Sequence, residues 1–367
     1  PFGGGAGGGV GPAVAFGSTT QNIHKMRRLL LSLFVSGTLA ASAQNPRLVL
    51  PVGHSGYITS VAFSPPGPDD PAGGKYILTG STDNTAKLWD RNGHEIATFV
   101  GHQFPVYSVA FSPDGLSVLT GSGDNTAKRW DRNGTPLQTF AGHKNYVRAV
   151  AFSPDGKYAL TGSDDKTAKR WDLASEEAEQ TYPHSQAVTA VAFALDENTF
   201  LTGSRGGNVK LWNSTTPTKP VRTIKAHSDY VTSVTFAPDG KSILTSSKDK
   251  TAKRWSLDGR HLLHSYPHFT EVAVALFSPN GQQVVTGDLY GKVRYWSLAG
   301  ERIKDYTAHK FEITTACFSP TPPTDTLGNT LLLTGSADGS ARMWDLAGNA
   351  VATLKGHTDA ITALAFA

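Results

Sequence analysis

The chain has 367 residues, 39% of them hydrophobic and only 17% charged, with 38 Gly and 21 Pro. Disordered chains are less apolar and helical ones hold fewer turn formers, so the balance points to an all-β protein with many tight turns. A single cysteine, Cys317, excludes an intramolecular disulfide framework, and its apolar surroundings (TTACFS) predict a small buried hydrophobe rather than a reactive thiol.

Residues 1–25 open with a Gly-rich run, PFGGGAGGGVGPAVAFG, and read as sequence translated upstream of a true start, with no fold of its own. Met26-Arg27-Arg28 is then a positive n-region before the apolar stretch LLLSLFVSGTLAA, and Ala41-Ser42-Ala43 gives a small-x-small cleavage pattern. The pattern predicts a signal peptide over 26–43, cleavage after Ala43, and a secreted or periplasmic mature chain from Gln44. Roughly 13 apolar or small residues fall short of the ~20 needed for a membrane span. The leader holds Lys25, Arg27 and Arg28 and no acid, so the mature part has 34 − 3 = 31 basic against 30 acidic residues. It therefore lacks the basic footprint of a nucleic-acid binder.

From residue 44 onward the sequence is periodic. A dipeptide ending in His recurs at His54, His102, His143, His184, His227, His268, His309 and His357, with spacings of 48, 41, 41, 43, 41, 41 and 48. All seven tryptophans, Trp89, Trp130, Trp171, Trp212, Trp255, Trp296 and Trp344, stand at one point of this repeat. After each His comes an apolar run such as YVRAVAFS, a Pro-Asp-Gly type turn, a second run such as YALTGS, a tight turn, a third run such as TAKRWD, and a fourth short run. Runs of 4–8 residues with Gly, Asn and Asp between them are strands joined by hairpins. Four strands per unit of about 41 residues make one propeller blade. Small residues between the large ones predict sheets packed face to face on both sides.

Taken along the chain, 44–355 supplies seven such blades and 356–367 begins a truncated eighth repeat, expected to overhang a single seven-bladed ring of four-stranded antiparallel sheets. Eight blades or a longer double propeller is the alternative. Both 47–52 and 350–355 have the pattern of the outer strand of blade seven. The two longer spacings come from Pro-rich insertions at 65–74 and 320–329, expected to project side by side from one face. Arg129, Arg170 and Arg254 precede the tryptophans of their blades, where Leu88 and Leu211 stand in others, and are expected to pack their stems on neighbours.

With these motifs in register, the sequence resembles the WD-repeat family, of a secreted bacterial type, over about residues 47–367. The resemblance implies a hydrogen-bonded tetrad in each blade. The matching residues are His54, Thr79, Asp83 and Trp89; His102, Thr120, Asp124 and Trp130; and His143, Thr161, Asp165 and Trp171. Blades five and seven carry His227, Thr245, Asp249 and Trp255, and His309, Thr334, Asp338 and Trp344. A buried indole N–H needs an acceptor, a Thr hydroxyl accepts and donates, and a carboxylate fixes the imidazole tautomer. Blade four has Gly206 and blade six Tyr290 in place of the Asp, so His184 and His268 are expected to lack a carboxylate and their blades to be held less firmly, although Asp288 is near in sequence.

A nucleophilic triad reading of His, Thr and Asp fails because the trio recurs five times with a Trp in fixed register. No metal-ligand cluster, phosphate loop or GxSxG elbow occurs, so no catalytic residue, cofactor or metal is expected. The resemblance further implies that the face bearing the repeat histidines is the contact face. Its candidate residues are Tyr57, Tyr107, Tyr146, Arg148, Arg205, Tyr230, Lys248, Glu271 and Glu312, with aromatic and cationic groups on blades one to five and acids on six and seven. The expected function is a non-enzymatic scaffold for a protein or peptide whose apolar or acidic part meets the Tyr/Arg arc and whose basic part meets Glu271 and Glu312. The second reading is a repeat module of a larger secreted protein with a peptidase-like effector domain.

Overall fold

The computed structural model describes residue 54 and residues 58–355, apart from 91–93, 176–177, 217–218, 320–329 and 338–339. They belong to one compact unit, Asn45–Ala367. The expectations for 1–25, 26–43, 47–52, 320–329 and 356–367, and for Tyr57 and Asp338, lie outside the described residues.

The fold is a seven-bladed, all-β propeller. Its strands, β1 to β28, fall four to a sheet in chain order: β1–β4 within 58–99, β5–β8 within 106–141, β9–β12 within 147–183, and β13–β16 within 188–225. The last three sheets are β17–β20 within 231–267, β21–β24 within 272–307, and β25–β28 within 313–355. Every pairing is between consecutive antiparallel strands. In blade seven β28 (Ala350–Lys355) pairs with β27 (Ser340–Asp345), so 350–355 is its outer strand.

Local chemistry sets each hairpin. In blade two, Gly115 N–H donates to Ser112 O at 2.8 Å and Gly115 takes φ 67°, while the Asp114 carboxylate accepts from Leu116 N–H at 2.9 Å. Gly takes this left-handed conformation without the Cβ penalty that other residues carry. The β-branched run VYSVAF then favours the innermost strand β5 (Val106–Phe111).

Cores lie between blades rather than within them. Leu78, Ala86 and Phe99 of blade one pack on Val106, Val109, Phe111, Val118 and Trp130 of blade two, and the same set recurs from blade to blade. This two-sided burial is why apolar and polar residues do not alternate simply along the strands. A glycine of the second strand sets the spacing in blades one to four and six, and Ser246 takes that position in blade five. A Cβ at Gly121 would stand 2.7 Å from a Val150 methyl and 2.9 Å from a Val147 methyl.

Hydroxyls stitch the innermost strands together. Thr59 donates to Val106 O, Thr189 to Val231 O at 2.7 Å and Thr232 to Val272 O at 2.7 Å. Ser60, Ser108 and Ser233 accept from Val109, Val150 and Ala275 N–H at 3.0, 3.2 and 3.2 Å. Residues of all seven innermost strands line a central cavity of about 410 Å³.

The insertion at 65–74 lies against blade two: Asp69 takes two bonds from Arg132 at 3.0 and 3.1 Å, and Arg132 stacks over Tyr76. Arg170 is buried over the ring of Tyr158 in its own blade, its guanidinium carbon 3.4 Å from the ring centre. Cys317 is buried, and burial pushes its thiol well up. Replacing Gly121 by Val is expected to cost roughly 1–3 kcal/mol through overpacking between blades two and three, measured as a lower urea midpoint. An unchanged midpoint would mean the blades are free to separate there.

Candidate interaction face

In blades one, two, three and five the structure brings the four tetrad side chains together. Trp130 Nε1–H donates to Thr120 Oγ1 at 2.9 Å, His102 Nε2 lies 2.7 Å from that oxygen, and His102 Nδ1 lies 2.7 Å from Asp124 Oδ2. The matching distances are 2.9, 2.8 and 2.8 Å at Trp89, Thr79, His54 and Asp83. They are 2.9, 2.7 and 2.8 Å at Trp171, Thr161, His143 and Asp165, and 3.3, 2.8 and 2.9 Å at Trp255, Thr245, His227 and Asp249. In blade seven Trp344 and His309 both meet Thr334, at 2.9 and 2.8 Å.

Because a carboxylate only accepts, Nδ1 carries the imidazole proton and the Thr hydroxyl donates to Nε2. Burial raises the Asp124 and Asp165 carboxyls, but bonds from His102 with Thr126, and from His143 with Thr167, outweigh it and hold both well below the usual carboxylate range. Burial lowers His227 to about 4 against the pull of Asp249.

Blade four keeps the upper half of the network only. Thr202 bonds His184 Nε2 at 2.8 Å and accepts from Trp212 at 2.9 Å. Burial, with Lys210 nearby, lowers His184 to about 3.

Blade six departs from expectation. His268 does have charged company: Arg294, which stands where blades one to five carry a Lys, donates to His268 Nδ1 at 2.5 Å and to Asp288. Asp288, fully buried where other blades carry a Ser, stands 3.6 Å from the imidazole, beyond hydrogen-bond reach. The guanidinium therefore bridges ring and carboxylate, while His268 Nε2 is left without a partner. Tyr290 is exposed and outside the network.

The candidate contact residues form a connected arc across blade boundaries. Arg148 lies over the rings of Tyr107 and Tyr146, at 4.3 and 5.1 Å, and the two rings are 5.9 Å apart. Its guanidinium donates twice to Asp164, at 2.8 and 2.9 Å. Arg205 of blade four reaches the same carboxylate at 3.2 Å and faces the Tyr230 ring at 5.6 Å. Lys248 stands 5.8 Å from Tyr230 on the same blade and 3.0 Å from Glu271 of blade six. The expected split between a cationic arc and a separate acidic sector is thus corrected at Glu271, which is paired with the arc's last cation. Glu312 is half-buried and its carbonyl accepts from Ala337 N–H at 3.0 Å.

Sequence reasoning missed Asp164, the carboxylate that joins blades three and four. It occupies the position that the cations Arg205 and Lys248 hold in their own blades, so the signal was present. Also missed were Phe104, Phe269 and Phe311, exposed in the loops that follow their histidines. Among the described residues no cluster of three His, Cys, Asp or Glu groups could hold a metal ion, and no helix is long and apolar enough to cross a membrane.

The family model described as "WD domain, G-beta repeat" matches seven segments: 45–90, 93–131, 134–172, 177–213, 218–256, 260–297 and 300–345. The chain is similar to the nuclear distribution protein nudF of Aspergillus flavus, 35% identical over 17% of each chain. It is also similar to the WD40 repeat-containing protein HOS15 of Arabidopsis thaliana, 45% identical over 14% of this chain and 8% of that one. In these matches it spans less than a fifth of either relative's length. Among solved structures it resembles the computationally designed Ika8 protein, with a TM-score of 0.70 and 27% identity, covering 87% of this chain and 93% of that one.

Two outcomes follow from the tetrad geometry. Trp130→Ala is expected to cost about 3–5 kcal/mol and Asp124→Asn about 1–3 kcal/mol in denaturant melts, while Tyr290→Ala changes little. Gly206→Asp, whose new Cβ meets the flexible Gln186 side chain at 3.1 Å, should give His184 the carboxylate it lacks and stabilise the protein by about 1 kcal/mol at neutral pH. His184 is lowered to about 3 when folded and titrates near 6.5 when unfolded. Protonation therefore favours the unfolded chain, and stability held above pH 6.5 is lost as pH falls toward 3. In the variant the histidine's NMR titration should move up and this acid loss should shrink; an unmoved titration would show that the introduced carboxylate does not reach the ring.

Proposed function

Because this chain belongs to the WD-repeat family, we propose that it is a non-enzymatic scaffold that holds a protein or peptide on the histidine-bearing face of its propeller. Propellers of this family are generally protein-interaction platforms. The observation that carries the reading is the arc from Tyr107 to Glu271, in which every cation is held by a ring, a carboxylate or both. Tyr and Arg bury large area at modest entropy cost and keep a polar handle, and fixing them in advance lowers the entropy lost on binding.

Tyr146 and Tyr230 present partly exposed rings beside these cations, which suits a partner with apolar and acidic groups. The mature chain's near-balanced charge does not favour nucleic acid. Export to the periplasm or the exterior, and a bacterial origin, rest on the leader-like segment 26–43 alone; the relatives matched are eukaryotic. N-terminal sequencing of the product recovered outside cells would have to begin at Gln44.

With a partner recovered by pull-down, Tyr146→Ala and Arg148→Ala should each weaken binding by about 1–3 kcal/mol in titration calorimetry. Neither should shift the thermal midpoint much, since Asp164 keeps Arg205. Wild-type affinity in both variants, with binding abolished by changes on the opposite face, would overturn the assignment.

A further inference from the structure

Blade four ends its sheet differently from the other six. Strand β15 (Asn208–Asn213) pairs with the outer strand β16 (Arg222–Lys225) only as far as Leu211 with Arg222. The other six tryptophans each pair with a residue of their outer strand, as Trp130 does with Pro136 and Trp255 with Leu262. Among the described residues Trp212 has no such pairing, and beside it a groove of about 570 Å³ opens between blades four and five. Its walls include Trp212, Val221 and Leu257, with Asn213, Asp258 and His261 among its polar groups. Val221 and Leu257 are 56% and 40% exposed, so apolar surface faces water there.

The residue after each tryptophan shapes the turn that follows. Blades one, two, three and seven carry Asp there, blades five and six Ser, and blade four a carboxamide, Asn213. Asn213 Oδ1 accepts from the Thr215 amide at 2.9 Å and from the Thr215 hydroxyl at 2.6 Å, the side-chain turn that Asp131 makes with the Asn133 amide in blade two. Two donors on the oxygen leave Nδ2, the group that an Asp lacks, without a partner among the described residues. Asn213-Ser214-Thr215 is also an acceptor motif for N-linked sugar. Asn133-Gly134-Thr135 has the same spacing, but there Asp131 holds the Thr135 amide at 2.8 Å, and Pro136 pairs with Trp130 and completes the sheet.

We propose that Asn213 is an N-glycan acceptor and that the sugar it carries covers the groove between blades four and five. The inference rests on the export reading above, because acceptor motifs of this kind are used in secreted chains. The donor is an oligosaccharide carried on a polyprenyl diphosphate. In the transfer Nδ2 bonds to the anomeric carbon and gives up one proton, while the anomeric C–O bond breaks and its electron pair leaves on the diphosphate. A pyranose has an apolar C–H face and polar edges, which match Val221 and Leu257 beside Asp258 and His261. Asn213 stands at the far end of β15 from the turn that follows the second strand, and a strand of six residues spans roughly 20 Å. The sugar therefore leaves the Tyr/Arg arc open.

The test is to export the full chain through a glycosylating secretory pathway, once behind residues 26–43 and once with a standard leader in their place. Peptide N-glycosidase in heavy-oxygen water should convert residue 213 to labelled Asp in most exported chains, and residue 133 in fewer. Asn213→Asp, which supplies the same turn as Asp131 does, should lack that sugar and still be exported. Amide exchange in β16 and in 256–261 should be several-fold slower before the enzyme treatment than after it. An exported chain with Asn213 bare would overturn the proposal, and equal exchange before and after would remove the sugar from the groove. Export behind the standard leader alone, with Asn213 glycosylated, would sink the export reading and leave the acceptor standing.

Discussion

Trp130 hands its indole proton to Thr120, Thr120 hands its own to His102, and His102 hands a third to Asp124. The threonine oxygen sits at the crossing because a hydroxyl can accept and donate at once. Everything else in a blade is arranged so that this relay runs one way. The Trp stands in the third strand, the Thr in the second, the His just before the first and the Asp in the turn between second and third, so the relay ties every inner element of the sheet to one atom. Leaving one link unmade strands a buried polar group, which is the larger cost. The blades that lack the Asp show two physical answers. Blade four lets its imidazole stay neutral at low pH. Blade six brings in a guanidinium and a fully buried carboxylate, Arg294 and Asp288, while its Thr286 accepts from Trp296 and donates to the Arg294 carbonyl.

Blade architecture was legible in the sequence because it is written in period. The His spacing, the Trp register and the punctuation of Gly, Asn and Asp are local signals, and they predict four strands per unit, while the partners within each tetrad are what the resemblance to the WD-repeat family implies. Blade six was not legible by the same route. A position-by-position match asks for Asp at Tyr290, whereas the charge entered two residues earlier, at Asp288, and from a different strand, at Arg294. The arc on the histidine face was legible as a list of positions, but its couplings were not. Arg148, Asp164 and Arg205 meet because blades three and four stand side by side at a distance that only the packed ring defines.

Inter-blade chemistry explains the modest apolar content. Neighbouring sheets meet through glycines, valines and alanines near the axis, and serine and threonine hydroxyls bond the next strand's backbone. These bonds use groups that would be unsatisfied in a purely apolar core, so the axis is polar and tightly set at once. The larger aromatic side chains lie further out, where Phe99 meets Trp130 and Phe140 meets Trp171, edge-on or tilted. A rigid rim follows, and on it the exposed tyrosines keep their places.

Every described blade takes its four strands from one uninterrupted stretch of chain. A blade is therefore also a unit of inheritance: copying or losing one segment of about 41 residues adds or removes a whole sheet and cuts none. The near-identical third strands TAKRWD of blades two and three and TAKRWS of blade five are what such copying leaves behind. Blades four and six, with Gly206 and the Arg294–Asp288 pair, then read as copies that drifted while their neighbours held them upright.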